Sequence, residues 1–186
     1  MKFSLWYPIK PVRVNQIFGN PDSKYKELGL IGHNGIDLRA NNEEPVYASH
    51  DGFLRNELVD SYGGHGVTIT TSMMFDYKDT VAFYKSIYWH LLPGSVHLDG
   101  PVKIGELIGY ADNTGFSTGD HLHFGLKPLD KNGNNLEQLN GYLGAINPVP
   151  YFNSFYAEDE VEVISKYQRV IELLKDLFSK LKGRNN

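Results

Sequence analysis

From residue 1 to about 155 the chain is a succession of short apolar runs cut by Gly, Pro, Asn and Asp. None of these runs is long enough for a helical period to establish itself. They are rich in Val, Ile, Thr and aromatic residues, which suit a pleated, half-buried surface. "EPVYASHDGFLRNELV" contains two such runs joined at "HDG". "GHGVTITT" sets Val67, Ile69 and Thr71 against Thr68 and Thr70. "TVAFYKSIYWHL" is a β-branched and aromatic run, "PVKIGELIGYADNTG" ends in an Asn-Thr-Gly turn, and "DHLHFGLKPL" closes the series. The pattern predicts a mainly β domain over residues 1–155, sandwich-like or barrel-like. The 19 Gly and 9 Pro supply the many turns that such a fold needs.

Near residue 157 the period changes. Ile164, Tyr167, Ile171, Leu174, Phe178 and Leu181 recur at steps of three and four, with Val163, Val170 and Leu177 widening the stripe. This predicts an amphipathic α-helix within residues 156–186, after a connector "NPVPYFNS". Glu158, Asp159 and Glu160 fall in its first turn, and Lys180, Lys182 and Gly183 near its end, in keeping with helix-end electrostatics. The apolar stripe either packs on the β domain or serves self-association or docking.

Bulk properties exclude several classes. A net charge of −4 argues against a nucleic-acid binder that works by neutralising phosphates. No apolar run approaches the roughly 20 residues of a membrane span. In "MKFSLWYPIKPVRV" the residues Pro8, Lys10, Pro11 and Arg13 interrupt any secretory h-region, so no signal peptide is expected. There is no cysteine, so a zinc site would have to be built from His and Asp or Glu.

Four features have the residue types for such a site. "GHNGID" places His33 and Asp37 four apart, a spacing that puts both on one face of a strand or of a helix. "HLH" places His121 and His123 on one strand face with Leu122 on the other, continued by Phe124 and Leu126. His90 ends the run "SIYWH", and the turn "NTGFSTGD" offers Gly115 and Gly119 for a close approach to the "HLH" strand. A hydrolytic zinc needs three protein ligands and an open position, and further histidines can move protons. Five groups are on offer, and spacing alone does not say which three would bind metal.

Taken together, "GHNGIDLRA", "YWHLLPG", "VKIGELIGYADNTGFSTGDHLHFGL" and "INPVPYF" resemble the M23 family of zinc metallopeptidases, the lysostaphin-like and LytM-like peptidoglycan endopeptidases, over residues 7 to 152. The resemblance implies that His33, Asp37 and His123 bind one zinc ion and that His90 and His121 are non-ligand catalytic histidines. It implies a compact antiparallel β-sheet domain that hydrolyses peptide cross-links or interpeptide bridges in bacterial peptidoglycan. Family members often place a tyrosine near the groove to assist the oxyanion, and Tyr25, shortly before His33, is a candidate for it. A catalytically silent wall-binding or regulatory module is the alternative, although no ligand position is missing. The substrate lies outside the cytoplasm while no signal peptide is seen, which a phage virion component or a lysis-released enzyme would reconcile.

Two positions depart from the family pattern. Trp89 stands where a small residue is usual and is read as filling core space. Asp120 stands where Pro, Ser or Asn is usual; it either orients His121 or is a solvated turn carboxylate, the latter preferred. His50, His65 and His97 match no motif position and read as surface histidines, His65 in a flexible glycine loop.

Overall fold

The structure is a computed structural model that describes residues 1–154, apart from residues 116 and 118 and the side chains of residues 57, 58, 153 and 154. The domain boundary expected at 155 and the helix expected beyond it lie outside the described residues.

Twelve short strands form the described part: β1 (Leu5–Trp6), β2 (Val14–Gln16), β3 (Ile36–Arg39), β4 (Pro45–Tyr47), β5 (Gly52–Asp60), β6 (Gly64–Thr70), β7 (Phe75–Tyr77), β8 (Thr80–Trp89), β9 (Gly100–Val102), β10 (Leu107–Tyr110), β11 (His121–Leu129) and β12 (Phe152–Ser154). Among the described residues there is one α-helix, α1 (Ser23–Glu27), capped by the Asp22 side chain accepting from the Lys24 amide, and one 3-10 turn over Val149–Tyr151. Among the described residues no helix is long and apolar enough to cross a membrane.

The expected antiparallel architecture forms. Eight strands make one sheet in the order β2-β3-β11-β8-β6-β5-β9, with β7 pairing β8. β4 and β10 make a separate antiparallel ribbon. The two runs around "HDG" therefore do not form a hairpin: β4 pairs with β10 while β5 pairs with β6 and β9.

Alternation sets the two faces of the large sheet. Tyr84, Ser86 and Tyr88 of β8, Leu122, Phe124 and Leu126 of β11, Val67 and Ile69 of β6 and Ile36 and Leu38 of β3 are all buried on the core side. Each large apolar side chain removed from water there contributes roughly 1.5–3 kcal/mol. The odd-numbered positions of β8 and β11 fall on the opposite face. β11 lies between β3 and β8, so His123 is paired with Asp37 on one side and with Trp89 on the other.

Three expectations are corrected. "NPVPYFNS" is more than a connector: β12 pairs in parallel with β1, and Phe152 stacks on Tyr7 at 4.1 Å between ring centroids. His65 lies within β6 rather than in a loop. His50 is only 4% exposed, because its ring packs edge-on against Phe3 and bonds to Ser86 inside the core. His97 is exposed as expected.

Candidate metal centre

His33, Asp37 and His123 come together from two strands and an irregular segment. Asp37 and His123 are strand neighbours in register, which brings their side chains to one face. His33 is not in a strand; it sits in the bend before β3. Its backbone is fixed there by two bonds to the opposing loop, Gly19 N to His33 O at 2.8 Å and His33 N to Asn20 O at 3.0 Å.

The three side chains converge atom to atom. His33 Nε2 lies 2.9 Å from His123 Nδ1, and Asp37 Oδ1 lies 3.1 Å from each of them. Zinc bonds of about 2.0–2.1 Å in tetrahedral geometry place neighbouring ligand atoms about 3.3 Å apart. The observed triangle is within a few tenths of an ångström of that spacing.

The proton count points the same way. His33 Nδ1 is 3.2 Å from the Ile17 carbonyl oxygen. A carbonyl only accepts, so Nδ1 carries a hydrogen and Nε2 is the nitrogen turned into the site. His123 is mounted the other way round, with Nδ1 facing inward. Burial alone would raise the Asp37 carboxyl, but the close His123 and His33 rings outweigh it and hold the group far below the usual carboxylate range. Burial pushes the His123 imidazole down, against the pull of Asp37. Two imidazole nitrogens and one carboxylate oxygen therefore face one point, which is the donor set of a borderline divalent cation.

Gly35 lies between His33 and Asp37 for a packing reason. A Cβ there would fall 2.5 Å from the Phe124 carbonyl oxygen and 2.7 Å from His123 Nε2. The missing side chain is the space that the His123 ring occupies. Tyr25, on α1, packs its ring on His33 at 5.4 Å and donates its hydroxyl to Gln16 Oε1 at 2.9 Å. Gln16 is itself the strand partner of Asp37. Burial, then the Asp37 charge, pushes the Tyr25 phenol up, so it stays protonated.

His90 and His121 flank this triangle, their rings 4.5 Å apart. Immediately after β8, His90 adopts a left-handed φ of 63°. Its Nδ1 donates to the Thr114 carbonyl at 2.6 Å. His121 Nδ1 is 2.8 Å from the Gly119 carbonyl oxygen and 3.1 Å from Ser117 Oγ. Both rings are thus held as the tautomer with a lone pair at Nε2, and His121 Nε2 lies 3.7 Å from Asp37 Oδ1. Burial, helped by nearby His121, pulls the His90 imidazole down to about 4, so it is neutral at ordinary pH.

All five residues singled out from sequence are therefore in one place, but several supporting roles differ from expectation. Gly115 does not approach the "HLH" strand; its positive φ lets it pack on the turn at Gly63 and Gly64. Gly119 has open space around it and acts through its carbonyl. Trp89 fills no core space: it faces the site side and lies over Gly63 and Gly66. Among the described residues no bond joins Asp120 to His121, whose Nδ1 is already engaged. Sequence reasoning missed the carbonyls of Ile17, Thr114 and Gly119, because a backbone acceptor has no residue signature.

Residues 31–137, more than half of the chain, match the model of peptidase family M23. An uncharacterized metalloprotease of Haemophilus influenzae is 33% identical over 120 residues, 63% of this chain and 23% of that protein. The glycyl-glycine endopeptidase ALE-1 of Staphylococcus capitis is 32% identical over 99 residues, 52% of this chain and 25% of that protein. The chain thus matches a quarter or less of the length of these two relatives. Among solved structures, a zinc containing peptidase from Vibrio cholerae aligns with 28% identity and a TM-score of 0.55, covering 80% of this chain and 41% of the other. The chain belongs to peptidase family M23, a metallopeptidase family.

Proposed function

We propose that the protein is a zinc-dependent endopeptidase acting on peptide cross-links or interpeptide bridges of bacterial peptidoglycan. In this reading His33 Nε2, Asp37 Oδ1 and His123 Nδ1 hold one zinc ion, and His90 and His121 carry the proton transfers. The observation that carries it is the convergence of three potential ligand atoms at 2.9–3.1 Å beside two imidazoles whose Nδ1 atoms are tied to backbone carbonyls. The naming of one relative as a glycyl-glycine endopeptidase supports a peptide substrate.

A zinc ion held there would supply the Lewis acidity that makes an amide carbonyl electrophilic and a water acidic near neutral pH. The chain's own residues do the rest. His121 Nε2, 3.7 Å from Asp37 Oδ1, is the base placed to take a proton. His90 is more deeply buried and remote from any acid bonded to its ring; it returns a proton or donates to the developing oxyanion. Tyr25 holds the His33 ring, its hydroxyl proton already given to Gln16.

Incubation of the zinc-loaded chain with purified sacculi, followed by mass spectrometry of the released fragments, tests this reading. About one zinc per chain and new peptide termini are expected, both lost on chelation. In His33→Ala, zinc content and digestion should fall together, the latter by more than about 10³-fold, with β-sheet circular dichroism retained. Digestion that survives both chelation and His33→Ala would overturn it.

A further inference from the structure

The face of the large sheet that carries His123 does not end at the histidines. Register pairs successive residues across β6, β8 and β11 into rows. The first row is Gly66, Trp89 and His123; the second is Thr68, Ile87 and Gly125; the third is Thr70, Lys85 and Lys127. Directly paired residues point to the same side. The third row therefore places two lysines side by side on the face of the candidate metal centre, four residues along β11 from His123, or about 13 Å at the usual strand rise.

Such a pair is costly. Like charges directly opposite one another in a sheet are destabilising, with Cβ atoms about 4.5–5.5 Å apart. Lys85 and Lys127 are both partly buried, and no acidic side chain bonds to either among the described residues. Three other cations of this net-acidic chain have acidic partners: Lys103 with Asp51, Arg55 with Asp99 and Lys78 with Glu137. Burial, then the charge of Lys85, pulls the Lys127 ammonium down, the signature of a cation short of a counter-ion.

We propose that Lys85 and Lys127 form an anion subsite on the sheet face, taking a carboxylate of a peptide whose backbone lies extended between it and the metal centre. A peptide is the substrate of a peptidase, and the anionic groups a peptide carries are carboxylates, at its C-terminus or on an acidic side chain. Ile87 holds the centre of the intervening row and Trp89 stands beyond it beside His123, so the ion pair forms beside low-dielectric surface and is screened less than an exposed one. The subsite gives the reaction a preference for acidic substrates without taking part in bond breaking.

This inference rests on the peptidase reading, and the test separates the two. The full zinc-loaded chain is titrated with N-acetyl-hexaglycine as the free acid, as the C-terminal amide, and as an amide carrying one glutamate or one glutamine. Backbone amide shifts of residues 85 and 127 report binding, and mass spectrometry of the same samples reports peptide integrity. The free acid, the glutamate peptide or both should bind about tenfold more tightly than their neutral counterparts, the two comparisons identifying which carboxylate is read. Lys85→Met with Lys127→Met should abolish the preference and leave neutral-peptide binding, zinc content and the thermal midpoint undiminished; the paired Arg substitutions should keep it. Equal binding of acid and neutral peptides by the native chain, or a preference that persists in the double Met variant, would overturn the subsite. Discrimination without cleavage of any peptide or sacculus would support the subsite and count against the peptidase reading alone.

Discussion

His50 and His90 are a matched pair of buried histidines, and they do opposite things. Both imidazoles are pulled down to about 4, in each case first by burial. On the core side of the sheet, His50 is satisfied at both nitrogens: Nδ1 donates to the Asp51 carbonyl at 2.9 Å and Nε2 faces Ser86 Oγ at 2.9 Å. Ser86 in turn meets Tyr88 at 3.2 Å, and the Tyr88 oxygen accepts from the Ser49 amide at 2.9 Å. His90 is satisfied at Nδ1 alone, and its Nε2 has no hydrogen-bond partner among the described residues. Depth and titration do not separate these two residues; the balance of donors and acceptors does. A closed polar chain stabilises a core, whereas an open set of acceptors is a site awaiting a cation or a proton.

The largest expected effect lies on the open side. His90→Ala and His121→Ala should each lower kcat/KM by about 10²–10⁴-fold while zinc stays at about one per chain. Parallel measurement of metal content and hydrolysis checks this, and loss of zinc from either variant would place that histidine among the ligands. Gly35→Ala should come next. Its methyl group has to displace the Phe124 carbonyl or the His123 ring, so zinc affinity should fall about 10–100-fold, as for other groups that orient a ligand. Competition against a fluorescent chelator reads this, and unchanged affinity would show that the ring has another resting place.

The smallest effect lies on the closed side and depends on pH. The folded-state value of His50 is depressed below its ordinary 6.5, so the unfolded chain binds the proton more readily. The stability it contributes is present above about pH 6.5 and is lost as pH falls toward about 4. Between about pH 7 and about pH 5.5 this loss is on the order of 1 kcal/mol. Urea midpoints of the native chain and of His50→Gln, taken across that range, should converge as pH falls. Parallel curves would mean that His50 titrates normally and that its chain of bonds is not closed.

Much of the candidate site was legible because strand geometry is local. Alternation with period two is enough to put His121 and His123 on one face and Leu122, Phe124 and Leu126 on the other, and β11 shows that division. The same rule misplaced His33, which reaches Asp37 from a bend held by Gly19 and Asn20, a contact between loops that no spacing encodes. The surface reading of His50 failed as well, because its partners Phe3 and Ser86 are distant in the chain and near only after folding.

The chain by itself determined which side chains share a strand face, which turns interrupt the strands, and that any metal centre must be built from His and Asp. Those follow from covalent geometry and residue chemistry within a few residues. Only the tertiary structure decided which nitrogen each imidazole turns inward, because carbonyls from Ile17, Thr114 and Gly119 set the tautomers. It alone decided that Lys85 stands beside Lys127, because register between strands 42 residues apart is a property of the folded sheet, fixed by the burial of its core face.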